Sequence, residues 1–158
     1  MSYKFTVFVT DQSTITPELL AEGIKGWYAN DPSVEVQLHP EDNNERRSDP
    51  TITVDYSVAE PDTDEQLPVG FEEKWQIRIW FMDRIDPDHQ GAILEVAASH
   101  PHCSEMAACR QWIQVASDKD WDLNYFNDHL YIIHVFERFP GMYIFDEVSQ
   151  ESWPSKEE

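Results

Sequence analysis

The residues best suited to chemistry gather near position 100, where His100, Pro101, His102 and Cys103 are followed by Cys109 and preceded by His89. Imidazole and thiolate are the ligands zinc prefers. Structural zinc sites bring such ligands in close pairs, as in CxxC joined to a second pair, whereas Cys103 and Cys109 stand six residues apart. On a helix that interval turns the two thiols to different faces, which also opposes a local disulfide. The cluster is therefore read as a polar turn followed by a core cysteine. A small metal-binding domain or enzyme built on it is the alternative function.

A second constellation is Asp118, Asp120, Asp122 and Asn124, which sets oxygen ligands at alternate positions as the start of a calcium loop does. Leu123 then occupies the place of the glycine that permits the sharp turn, and His129 stands where a bidentate glutamate is needed. An acidic turn opening a helix, where carboxylates oppose the positive end of the dipole, accounts for the same residues. GxSxG, a P-loop, GxGxxG and HExxH are all absent, and five glycines leave few positions for phosphate-binding turns. His129 and His134 are expected at the surface or boundary of the last helix. No catalytic, cofactor-binding or metal-binding residue is assigned, and the reading leans away from an enzyme.

The elements that must position these residues follow from periodicity. Phe5, Val7 and Val9 alternate with Lys4 and Thr6, as a half-buried strand requires. Thr16 offers a cap oxygen, Pro17 suits the first helical position, and Leu19, Leu20, Ile24, Trp27 and Tyr28 share a helical face. Strands are expected again at Val34, Val36 and Leu38, at Ile52, Val54 and Tyr56, and at Trp75, Ile77, Ile79 and Phe81. Between 88 and 117 the periods compete, and the reading is a helix before Pro101 with a strand around Trp112. Asp122 or Asn124 caps a helix carrying Phe126, Leu130, Ile133 and Phe136, which Pro140 and Gly141 end. A buried strand, Met142 to Phe145, follows.

These elements predict one α+β domain over 1–158, with residues 146–158 as a flexible C-terminal tail. An antiparallel or mixed sheet of five to six strands would carry helices on one face, a ferredoxin-like variant being one such topology. Hydrophobic residues at 41% and aromatics at 13% are enough for a real core, so the acidity belongs to the surface.

That acidity limits the partners. With 31 Asp and Glu against 11 Lys and Arg, the formal charge is -20, and bare nucleic acid or anionic lipid is disfavoured because binding either requires cations. Trp75, Trp80, Trp112, Trp121 and Trp153 lack the interleaved basic residues of a single-strand-binding platform. Most are read as core, while Trp80 falls on the polar face of its strand and suits an interface. Two cysteines, no run long enough to span a membrane, and an N-terminus that enters strand alternation directly point to a reducing, cytoplasmic setting. The expected function is an acidic binding module, of inhibitor or immunity type, for a basic protein, and a homo-oligomer is compatible with it. Its contact surface is expected to comprise Glu60, Asp62, Asp64 and Glu65, the turn with Asp118, Asp120 and Asp122, and Trp80.

Overall fold

The structure, a computed structural model, describes residues 2–11, 13–39, 50–57, 74–82, 88, 91, 92, 94, 95, 98, 102–109, 111–120, 125–149 and 151–155. Its strands are β1 (Lys4–Val9), β2 (Val34–His39), β3 (Thr51–Ser57), β4 (Lys74–Met82), β5 (Gln111–Ser117), β6 (Met142–Asp146) and β7 (Glu151–Pro154). Among the described residues the uninterrupted helices are α1 (Pro17–Trp27), α2 (Cys103–Ala108) and α3 (Phe126–Glu137). All seven strands form one antiparallel sheet in the order β2-β3-β4-β5-β1-β6-β7. The α+β class is as expected, and the sheet is one strand larger than the widest expectation.

Alternation decides which side of each strand is dry. Phe5 and Val7 on β1, Ile52 and Val54 on β3, Ile77 and Ile79 on β4, and Ile113 on β5 all enter the main core. Each such side chain, removed from water, contributes roughly 1.5–3 kcal/mol. α1 begins as its residues dictate: Thr16 Oγ1 accepts from the Leu19 N–H at 3.1 Å, and Pro17 fills the first turn. Leu20, Ala21 and Ile24 are buried, whereas Leu19, expected on the same face, is 45% exposed. α3 adds Ile132, Ile133, Val135 and Phe136 to the same core. A Cβ on Gly23 would approach Val135 Cγ1 at 3.1 Å, so the glycine lets the two helices pack closely.

Two expectations about layers are corrected. Helices do not lie on one face only, because Met106 of α2 and Cys109 join Phe8, Trp112 and Phe145 in a second buried cluster. Phe8, Trp112 and Phe145 occupy the register positions opposite to those that enter the main core, so the strands β5, β1 and β6 are buried on both sides. The chain from 146 onward is not a uniformly flexible tail. Glu151–Pro154 pairs with β6, Trp153 packs on the main core, and Ser155 exchanges bonds with Met142, its N–H donating to the carbonyl at 2.8 Å and its Oγ accepting from the N–H at 3.0 Å.

The competing periods between 88 and 117 resolve as a strand around Trp112, as read. Gly91, Ala92, Leu94 and Glu95 are helical, and α2 adds a helix after Pro101 that was not anticipated. The last helix ends at Glu137, and Gly141, at φ 81°, makes the turn into β6. No helix among the described residues is long and apolar enough to cross a membrane.

Candidate functional site

The acidic turn after β5 is described as far as Asp120, and Ser117, Asp118 and Lys119 are bonded to Tyr3, Gln76 and Trp75. Ser117 exchanges two bonds with Tyr3, donating its N–H to the carbonyl at 3.0 Å and accepting the Tyr3 N–H on Oγ at 2.9 Å. Asp118 extends the ladder, its N–H donating to Gln76 at 3.0 Å and its Oδ2 accepting the Gln76 N–H at 3.1 Å. The Lys119 carbonyl accepts from the Trp75 indole at 3.2 Å.

Asp118 and Asp120 have different fates. Asp118 keeps 39% of its side chain exposed and lies 3.2 Å from Arg78 Nη2. Arg78 also donates to Gln76 Oε1 at 3.1 Å, and Gln76 donates to Asp55 at 2.7 Å. A polar row Asp55, Gln76, Arg78, Asp118 thus runs over β3 and β4 to the end of β5, on the side of the sheet opposite the main core. Trp80, half-buried, continues the β4 part of that row between Thr51 and Gln114. The placement of Trp80 on a polar strand face is as expected.

Asp120 is corrected: it is 3% exposed, not presented to solvent. Its Oδ2 accepts the Tyr3 phenol at 2.7 Å and the Tyr125 N–H at 2.9 Å. The physical cause is the start of α3, where the first amides lack helical partners and a carboxylate is well placed to take one. Tyr125 is the cap residue and its own side chain makes no capping bond. Asp122 and Asn124, expected to cap, lie outside the described residues, as do Glu60, Asp62, Asp64 and Glu65. The carboxylates of Asp118 and Asp120 turn to separate partners, so they do not converge as calcium ligands would.

His129 is likewise inside, at 5% exposure, and not at the surface. It stacks on Tyr3 with ring centroids 4.6 Å apart and lies 3.9 Å from Asp146 Oδ2. Burial works against the Asp146 charge, but the attraction of His129 and the N–H of Val148 outweigh it and hold the carboxyl below its usual range. The spacing of His129, Ile132, Ile133 and Phe136 on one helical face was the signal for this burial. His134 is exposed, as expected, and stacks on Trp27.

A second, partly buried network had no sequence signal. The Tyr56 phenol donates to Tyr28 at 2.9 Å, and Tyr28 donates to Asp128 at 2.8 Å. Trp75 and Tyr125 stack beside them, with centroids 4.3 Å apart. Burial, then the neighbouring phenol and carboxylate, raises the Tyr28 pKa, and burial also raises that of Asp128. Tyr28 stays a neutral donor at physiological pH, which fits a bond holding α1 to α3 better than it fits a base.

Near position 100, Cys109 is buried and its Sγ donates to the Glu105 carbonyl at 3.3 Å. Burial and then the Asp11 charge push its thiol up to about 11, so it stays protonated near neutral pH. His102 packs against Tyr143, and His89 and His100 are outside the described residues. Among the described residues no three side chains of metal-ligating type come together. In comparisons with known proteins, neither a family model, nor a curated protein, nor a solved structure matches the chain.

Proposed function

We propose that the protein is an acidic, cytoplasmic binding module of inhibitor or immunity type whose partner is a basic protein. The observation that carries this reading is the charge: if all 11 Lys and Arg were paired with carboxylates one to one, twenty acids would still lack a cation. A field of that size repels like copies and speeds the capture of a cationic surface. The proposed contact residues are Trp80 and Asp118 with Glu60, Asp62, Asp64, Glu65 and Asp122. Asp120 is withdrawn, since its carboxylate is used inside.

β1-α1-β2 and β5-α3-β6 each join strands that run parallel within the antiparallel sheet, which we read as a ferredoxin-like variant widened by the β3–β4 hairpin. The test is capture from native lysate at low and high salt, then the association rate of the captured protein with wild type and with Trp80→Ala. A basic protein released by salt, binding more slowly as ionic strength rises, is expected. Capture of no basic protein, or a rate indifferent to salt, would overturn the reading.

A further inference from the structure

The two edges of the sheet are built differently. β7 is four residues long and ends on Pro154, which has no N–H to offer. β2 is six residues long and pairs one to one with β3, from Val34↔Tyr56 to His39↔Thr51, with no bulge. It contains neither proline nor lysine. Shortness, proline, lysine and bulges are among the means by which edges are kept from pairing with another chain; β2 uses none of these four, and its one charged side chain is Glu35.

Its register shows which groups point outward. The Ser57 N–H donates to the Ser33 carbonyl at 2.9 Å. Antiparallel bonding alternates, so Glu35, Gln37 and His39 bond to β3, while Val36 and Leu38 turn both backbone groups away. Among the described residues nothing pairs with that outer edge. On the core side Val34, Val36 and Leu38 are half-buried, and on the other side Glu35 is exposed with Asp55 directly opposite it on β3. An added strand would therefore meet an apolar row on one face and, on the other, Glu35 with Asp55 one strand behind it.

We infer that the outer edge of β2 accepts an extended segment of a basic protein as an eighth strand, an inference that rests on the binding reading above. Charge selects the occupant. A second copy would bring another net -20 and a second Glu35 to the seam. A segment alternating Lys or Arg with apolar residues would set a cation beside Glu35, with Asp55 one strand further in, and extend the apolar row of Val34, Val36 and Leu38.

The test uses the full chain and a capped Lys-Val-Lys-Val-Lys-Val peptide at low salt. Amide shifts and exchange protection should centre on Val36 and Leu38. Val36→Pro removes an N–H that the ladder does not use, a change edge strands tolerate, and should weaken binding about tenfold or more. The same peptide N-methylated on alternate amides should lose as much against wild type, which keeps the test decisive if Val36→Pro misfolds. Equal binding of the N-methylated peptide overturns edge docking while leaving a salt-sensitive basic partner standing. Binding of neither peptide also overturns it, and if lysate yields no basic protein either, the wider reading falls with it. Self-association abolished by Val36→Pro, in place of peptide binding, would assign the edge to a second copy and overturn the inference.

Discussion

Tyr3 donates its phenol hydrogen to Asp120 at 2.7 Å across 117 residues of chain. The same ring stacks on His129 of α3, and the Tyr3 backbone is bonded to Ser117. One residue beside β1 thus fixes both the acidic turn and the helix that follows it. Bonds of a carboxyl group away from water are stronger than ordinary ones, which is why Asp120 can sit inside the fold.

Removing parts of that junction should separate its contributions. Tyr3→Phe keeps the ring and loses one bond, at a cost of about 1–3 kcal/mol. Asp120→Ala strands both the phenol and the Tyr125 N–H, and about 2–4 kcal/mol is expected from urea denaturation. A wild-type midpoint for Asp120→Ala would mean that the turn is solvated, as the sequence alone suggested.

The tyrosines should report the buried networks at alkaline pH. Burial raises the phenol pKa of Tyr3, Tyr28 and Tyr56, reinforced at Tyr3 by Asp120 and at Tyr28 by Tyr56 and Asp128. In the unfolded chain phenols ionise near the ordinary value of about 10. Folded-state values above the unfolded one give stability that is complete below that pH and is lost as pH rises beyond it. Tyrosinate absorbance should therefore show Tyr3, Tyr28 and Tyr56 ionising only together with loss of near-ultraviolet dichroism. Six phenols titrating together near pH 10 in a folded chain would contradict the networks.

Legibility in the sequence followed the strength of local periodicity. β1, α1, β3 and β4 were readable because Phe5 and Val7, Leu20 and Ile24, Ile52 and Val54, and Ile77 and Ile79 repeat at spacings that water enforces. Asp120 was misread because its partner is Tyr3, and no local pattern records a bond over that distance. His129 was legible in principle, from its place among Ile132, Ile133 and Phe136, but a polar residue type drew it to the surface. The second core was missed since Phe8, Trp112 and Phe145 come from three strands and gain meaning only once the sheet order is known.

Thiol reactivity should distinguish the two cysteines. Cys109 is buried with a thiol pushed up to about 11, while Cys103 is half-buried on α2. A thiol reagent near neutral pH should modify Cys103 in the native protein and reach Cys109 only on unfolding. Mass spectrometry after limited alkylation reads this directly. Protection of both thiols by added zinc would instead revive a metal site near position 100.

Truncation tests whether the chain end belongs to the fold. Deleting 151–158 removes β7, takes Trp153 off the core opposite Ile144, and leaves the Met142 N–H and carbonyl without Ser155. Lost packing, the lost β6–β7 ladder and the two lost Ser155 bonds together should cost about 2–4 kcal/mol or more. The deletion also bares β6 as a new edge carrying Ile144 and Phe145, so concentration-dependent aggregation should accompany the lower urea midpoint. Trp153→Ala alone should lower the midpoint without aggregation, since the edge stays covered. If the truncated chain keeps the wild-type midpoint and remains monomeric by size exclusion, β7 contributes nothing to stability, and the short, proline-ended edge argued to protect the sheet does not do so.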